Sequence, residues 1–186
     1  MRMSPKVNSS RLYGSFKMSQ IQQKLFAHEA LRSKWSPVFF GKTGYVATVP
    51  LVQCRTVNSE WYTTICLSEI FGKIRETNRR RRIILHQDNA SSHTSAQTRD
   101  FLRTEKVELM GYPPYSPDLA PNDFFLFPQI KNKLRGQHFS TPEEAVDAFK
   151  MHVLEVPQSE WKKCFENWFK RMQKCIDLHG EYFEKQ

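Results

Sequence analysis

The short, unbroken apolar run Ile83-Ile84-Leu85 constrains the fold of this chain more than any other feature. β-prone residues without polar alternation mark a strand covered on both faces, and such strands belong to sheets with helices packed on either side. The run passes straight into His86-Gln87-Asp88-Asn89, so an acidic residue stands just beyond the strand's carboxyl end. In open α/β sheets that end is where sites form.

The neighbouring segments fit the same architecture. Pro37 to Phe40 and Tyr45 to Val49 are β-prone runs around Gly41-Lys42-Thr43-Gly44, which predicts a hairpin. From Asn58, a possible N-cap together with Ser59, the apolar residues Trp61, Ile65, Leu67, Ile70 and Ile74 predict one buried helical face. Thr94-Ser95-Ala96-Gln97 offers a capping box for a helix to about Arg103, and Val107-Glu108-Leu109-Met110 reads as the next strand. After the proline-rich loop 113–121, a helix is expected from Asn122 and Asp123, with Phe124, Phe127, Ile130 and Leu134 along one side. Pro128 predicts an irregular first turn there, because proline inside a helix costs about 3 kcal/mol.

Two C-terminal helices complete the pattern. Thr141-Pro142-Glu143-Glu144 combines an N-cap, a proline at the first helical position and a reciprocal Glu, ahead of Val146, Phe149 and Val153. Beyond Pro157, Ser159 is placed to cap a helix whose Trp161, Phe165, Trp168, Met172 and Ile176 form an amphipathic stripe, read as core. Hairpin, helix, strand, helix, strand, helix is the order of a mixed α/β sheet flanked by helices, closed by a helical pair. Residues 36–186 are expected to form one domain. Residues 1–35 read as a divergent, poorly ordered leader, with only a thin helical stripe over Gln20–Arg32.

A net charge of +9 favours polyanionic partners, nucleic acid first. The four cysteines lie far apart without a CxxC pair, which excludes a disulfide framework or zinc site of recognisable spacing; Cys164 and Cys175 read as core residues. No apolar stretch approaches the roughly 18 residues of a membrane span, and the N-terminus has no signal-peptide core. An intracellular, reducing compartment is expected.

The candidate chemistry rests on Asp88 and Asp123, which are separated by the thirty-four residues 89 to 122. Asp123 also has a bland reading as a helix-start carboxylate, favoured by the helix dipole. Asp118, in the Ser-Pro-Asp-Leu turn, reads as a structural residue bonding its own backbone. His93 is read as a satisfied helix-start histidine, with reach to a phosphate or water as its alternative; His86 is similar, and Asn89 is a candidate to orient Asp88. Lys73, Arg75, Arg79, Arg80, Arg81 and Arg82 form a basic run suited to DNA phosphates, or to a solvated surface.

Two long motifs sharpen this picture. His86-Gln87-Asp88-Asn89-Ala90-Ser91-Ser92-His93-Thr94 resembles the second-aspartate motif of mariner-type DNA transposases. Pro114-Tyr115-Ser116-Pro117-Asp118-Leu119-Ala120-Pro121-Asn122-Asp123 resembles the third-aspartate motif of the same family, at the mariner spacing. The resemblance runs from about Phe39 to Gln186, including Gly41-Lys42-Thr43-Gly44 and Gly180-Glu181-Tyr182-Phe183. It implies an RNase H-like fold, cut-and-paste transposition of DNA in the nucleus, a dimeric enzyme, and acidic residues that hold two Mg2+ or Mn2+ ions. Hard divalent cations take oxygen ligands, and two such ions ~4 Å apart activate an attacking oxygen and neutralise a leaving one. By this resemblance Asp88 and Asp123 are metal ligands and catalytic residues.

The chain departs from the family upstream. The family's first Asp lies on the first core strand, in a Gly-Asp-Glu-like motif, whereas here no Asp precedes Asp88 and Glu29 is the sole acidic residue before position 58. Leu12-Tyr13-Gly14 is similar only to the residues just beyond that motif. The family's helix-turn-helix domains and linker have no counterpart either, so the chain reads as truncated: a decayed copy, a partial gene model or a domesticated remnant. Catalysis is expected to be impaired. The sheet is expected to have either a gap with lower stability or a replacement for the missing strand from part of residues 1–20. A non-catalytic, sequence-nonspecific DNA-binding remnant is the second functional reading, and an α/β protein with no DNA role the third.

Overall fold

The computed structural model describes the backbone of residues 18–21 and residues 37–51, 57–77, 79–80, 82–111, 113–181 and 183. One mixed sheet runs through the molecule in the order β3-β2-β1-β4-β5. Its strands are β1 (Met18–Ile21), β2 (Val38–Gly41), β3 (Gly44–Thr48), β4 (Ile83–His86) and β5 (Val107–Met110).

The expected hairpin is present. Gly41 pairs with Gly44 across the two-residue turn Lys42-Thr43, and Gly44 has φ +131°, a conformation that residues with a Cβ rarely adopt. β4 and β5 are parallel and in register from Ile83 with Val107 to His86 with Met110.

The sheet has no central gap. Four residues inside the stretch read as a leader form β1, where Ser19 pairs antiparallel with Phe40 and parallel with His86. Gln20 and Ile21, placed by sequence at the start of a helix, are strand residues; Leu12-Tyr13-Gly14 and the rest of the supposed helix lie outside the described residues. The physical reason is the demand of the neighbouring edges. β2 and β4 each present N–H and C=O groups to the space between them, which an intervening extended segment satisfies, and this outweighs a thin helical stripe.

Helix α1 is continuous over Ser59–Trp61, Tyr62–Leu67 and Ser68–Thr77, and its middle section has π-type hydrogen bonding. Asn58 caps it, its Oδ1 accepting from the Trp61 N–H at 2.8 Å. The π turn corrects the expected buried face. Each residue in an i→i+5 turn advances less about the axis, so the stripe slips: Tyr62, Thr63, Cys66 and Leu67 turn inward, while Ile65 is 51% exposed. Ile65→Gln should therefore change stability by no more than about 0.5 kcal/mol. Leu67→Ala should cost about 2–5 kcal/mol, both changes being read from urea titrations of the full chain.

A helical turn at Ser91–Thr94 leads into α2 (Ala96–Thr104). Its cap is Ser95, one residue later than expected, with Oγ accepting from the Thr98 N–H at 3.1 Å. Gln97, expected in a capping box, instead points its amide at Thr63 Oγ1. Helix α3 begins with a π turn over Asn122–Leu126 and continues as Phe127–Leu134, which places Pro128 near the start of its regular part and accounts for the irregular opening.

Helices α4 (Pro142–Leu154) and α5 (Gln158–Asp177) close the chain. Thr141 caps α4 through the Glu144 N–H, and the Glu144 carboxylate accepts from the Ser140 N–H. Ser159 is not a cap: α5 starts after Pro157, with Ser159 inside its first turn.

Two apolar cores lie on the two faces of the sheet. Phe39, Ala47, Ile83, Leu85 and Val107 pack with α1 and Leu102 of α2. Val38 and Phe40 pack with α3, α4 and α5. Adjacent residues of β2 thus feed opposite cores, as the strand's two-residue period requires. Cys66, Cys164 and Cys175 are buried and not in disulfides, and burial pushes the Cys164 thiol up to about 12. No helix among the described residues is long and apolar enough to cross a membrane.

Candidate active site

β4 delivers Asp88 to the carboxyl edge of the sheet, two residues past its last strand residue. The side chain is 35% exposed, so one part is gripped and another faces solvent. Asp88 Oδ1 accepts from the Ala90 N–H at 3.1 Å and lies 2.6 Å from His93 Nδ1, while no described residue donates to Oδ2. Burial works to raise the Asp88 carboxyl. The His93 hydrogen bond and charge, the Ala90 N–H and the more distant His86 outweigh it and hold the group below the usual carboxylate range.

His93 is a satisfied helix-start histidine, as read, and not the alternative that reaches phosphate or water. It is fully buried rather than exposed to phosphate or water, and its ring packs on Tyr62 with centroids 4.4 Å apart. Gln87 Nε2 donates to the His93 carbonyl at 3.1 Å, and Tyr62 Oη donates to Gln87 Oε1 at 2.8 Å. Asn89, the expected orienter of Asp88, is exposed; the grip on Asp88 Oδ1 comes from His93 and Ala90.

Gln87 lies inside the quoted motif without a role assigned to it, and nothing in the local sequence pattern marks Tyr62 as part of this site. Tyr62 lies 25 residues from Gln87, and the π turn that aims it inward has no local signature.

Asp123 stands in the π turn that opens α3, with its N–H donating to the Ala120 carbonyl at 2.9 Å. The loop before it is pinned to the same edge of the sheet. Trp168 Nε1 of α5 donates to the Leu119 carbonyl at 2.8 Å, and the Trp168 ring packs on His86 of β4 at 4.7 Å. Asp118 is fully buried in the 3-10 turn Pro117–Leu119, and its carbonyl accepts from Arg171. A carboxylate sealed in that way is not offered to an ion from solvent. Among the described residues, no group of three His, Cys, Asp or Glu side chains is clustered to hold a metal.

His86 is buried against Trp168. Desolvation lowers its pKa to about 4, against the opposing pull of Asp88 and a bond to the Leu119 backbone. Because the folded-state pKa is depressed below the ordinary 6.5, the unfolded chain binds a proton that the folded chain refuses. The associated stability is fully present above about pH 6.5 and is lost as pH falls towards 4, by up to about 3 kcal/mol. Urea midpoints at pH 7 and 5 should show this loss, and His86→Gln should flatten it.

The basic run is placed elsewhere. Arg79, Arg80 and Arg82 precede β4, whereas Asp88 lies beyond it, so the two features occupy opposite ends of one strand. Lys73 pairs with Glu69, Arg82 pairs with Glu108, and Arg75 donates to the carbonyls of Arg79 and Glu105. Arg79 and Arg80 are exposed, and Arg81 lies outside the described residues.

This geometry has counterparts among known proteins. The family pattern described as DDE superfamily endonuclease matches residues 51–145. The chain is 29% identical to the Mariner Mos1 transposase of Drosophila mauritiana over 167 residues, 79% of this chain and 44% of that protein. It is 35% identical to the Homo sapiens histone-lysine N-methyltransferase SETMAR over 107 residues, 58% of this chain and 16% of that protein. The chain thus spans less than half the length of these curated relatives.

The crystal structure of the Mos1 mariner transposase catalytic domain superposes with a TM-score of 0.78 at 26% identity, covering 90% of this chain and 83% of that one. The Mos1 catalytic domain with Raltegravir and Mn gives 0.79 at 25%, covering 90% and 84%. The Mos1 paired-end complex with left transposon end gives 0.75 at 28%, covering 81% and 45%. The fold is the mixed α/β, RNase H-like fold of the Mos1 catalytic domain, as the two motifs implied.

Proposed function

Because this chain belongs to the DDE superfamily of endonucleases, we propose that it is a mariner-type transposase catalytic-domain fragment whose chemistry is metal-dependent cleavage and transfer of DNA strands. Residues 36–186, with β1 added from upstream, form the catalytic unit, and Asp88 and Asp123 are its metal ligands. The observation that carries this reading is the state of Asp88. One oxygen is fixed by His93 and Ala90, no described residue donates to the other, and the loop before Asp123 is tied through Trp168 to His86, the last residue of the strand that carries Asp88.

The donor set suits one of the ions that the family implies. Two carboxylates with water fit a single Mg2+ or Mn2+, since Mg2+ commonly uses one or two carboxylates and keeps several waters. They do not fit a pair of ions. The central strand is Met18-Ser19-Gln20-Ile21 and brings no carboxylate between β2 and β4. When bound, the ion would polarise a phosphodiester and lower the pKa of a water ligand. The chain's own contribution is placement: His93 and Ala90 hold Asp88, and Trp168 holds the loop before Asp123. With one ligand strand lacking its acid, catalysis is impaired rather than enabled.

DNA is the substrate and partner under this reading, as the transposon end is for Mos1 in its paired-end complex, and the nucleus is where the chain acts. The match to a methyltransferase covers 16% of that relative and carries no argument for methyl transfer. The absence of acid from β1 favours a second reading, a DNA-binding remnant without catalysis. In that case the exposed Arg79 and Arg80, with their basic neighbours, hold phosphates at the far end of β4.

Incubation of the full chain with supercoiled and nicked DNA in Mn2+ separates the two. Cleavage above background that disappears in Asp88→Ala supports the enzyme. Equal background from both proteins, with DNA binding that weakens steeply as salt rises, supports the remnant.

A further inference from the structure

We propose that His93, held by Tyr62 and Gln87, locks Asp88 as a single-oxygen ligand and thereby sets the site's preference for Mg2+ or Mn2+ over Ca2+. This rests on the metal reading of Asp88 given above.

The lock is visible in the hydrogen bonds. Asp88 Oδ1 is committed to the His93 ring, 2.6 Å away, and to the Ala90 N–H at 3.1 Å. In this arrangement His93 Nδ1 carries the proton it donates, because the ionised Asp88 carboxylate only accepts. The His93 ring cannot swing aside easily. It is sealed from solvent, packed against Tyr62, and tied through its own carbonyl to Gln87, which is tied in turn to Tyr62 Oη. Those three residues come from the π section of α1, the segment after β4 and the turn at Ser91–Thr94, so the tertiary fold as a whole sets the carboxylate's orientation.

The chemistry of the ions turns orientation into selectivity. Mg2+ demands near-octahedral geometry, keeps much of its water and is satisfied by one oxygen from each carboxylate. Ca2+ takes six to eight oxygens and commonly draws both from a carboxylate. Rotating Asp88 to present both oxygens would break the two bonds on Oδ1. The lock therefore penalises Ca2+ more than Mg2+ or Mn2+. His93, Gln87 and Tyr62 are positioning residues, since they act on the ion only through Asp88.

The test measures Mn2+ binding to the full chain by electron paramagnetic resonance of the free ion, and Ca2+ binding by competition against Mn2+. In His93→Ala, affinity for Ca2+ relative to Mn2+ should rise about tenfold, the lower end of what outer-shell partners control in metal sites. His93→Asn, whose amide N–H stands near the place of the ring N–H, should return the ratio towards wild type. Tyr62→Phe, which removes the hydroxyl from Gln87 and keeps the ring, should shift it in the direction of His93→Ala by a smaller factor.

A purely structural role for His93 would lower both affinities together and leave the ratio fixed, which overturns the proposal. If His93→Ala does not fold, an unchanged ratio in Tyr62→Phe overturns it equally. Failure of the underlying reading looks different: the wild-type chain would show no Mn2+ binding that Asp88→Ala removes.

Discussion

Ser19→Pro should cost about 3 kcal/mol or more and broaden or abolish the cooperative urea transition of the whole chain. Ser19 occupies the middle of the sheet, paired with Phe40 of β2 on one side and His86 of β4 on the other. Whichever neighbour its N–H faces, proline removes a ladder bond, and the ring crowds the adjoining backbone. The damage does not stay local. Among the described strands β1 is the sole link between the β2–β3 hairpin and the β4–β5 pair, so its loss leaves each half with an open edge. A cost of that size is a large part of the roughly 5–15 kcal/mol that holds an ordinary domain together. Ser19→Val, which keeps the N–H and suits a strand, should change stability by about 1 kcal/mol or less. Equal urea midpoints for the proline and valine variants would exclude Met18–Ile21 from the cooperative unit.

Trp168→Ala should destabilise the chain by about 3–5 kcal/mol and weaken Mn2+ binding as well. The side chain is fully buried between α5 and β4, with its ring against His86, Phe165 and Phe169. Removal of so large a ring leaves a cavity that the surrounding helices fill only in part. It also leaves the Leu119 carbonyl without the indole N–H that anchors it at 2.8 Å, at a further cost of about 1–3 kcal/mol if no water takes its place. Because Leu119 sits four residues before Asp123, the loop loses its anchor to the sheet edge where Asp88 stands. Trp168→Phe separates the two effects: it restores most of the packing but not the hydrogen bond. Its stability should recover most of the loss, while hydrogen exchange of the Asp118, Leu119 and Ala120 amides stays faster than in the parent. Unchanged exchange in both variants would remove the anchoring role.

Much of this architecture is legible in the chain itself. Ile83-Ile84-Leu85 specifies a buried strand because only a sheet covered on both sides accommodates such a run, and the structure has β4 there. The spacing of Trp161, Phe165, Trp168 and Met172 specifies the buried stripe of α5, since a regular α-helix repeats its face faithfully over that length. Both motifs identify the family, and Asp88 falls just beyond the carboxyl end of β4.

The features that escape the sequence do so for identifiable reasons. α-Helical spacing assigns Ile65 to the core, but a π turn shifts the register after Trp61 and turns it to solvent. Asn89 is the local candidate to orient Asp88, whereas the partner is a histidine five residues from it, clamped by a tyrosine a further thirty-one residues back in the chain. The basic run is close to the site in sequence, yet a strand of four residues carries the two to opposite ends of the sheet.

Periodicity and short motifs are local properties of a chain, so the order of the later elements, the two faces of core residues and the family are all written in the residues. Packing settled the remainder. It recruited Met18-Ser19-Gln20-Ile21, a segment with weak intrinsic preference, as the central strand, because two neighbouring edges required backbone partners. It also fixed Asp88 through His93, Gln87 and Tyr62, because a buried hydrogen-bond network depends on which side chains meet in space.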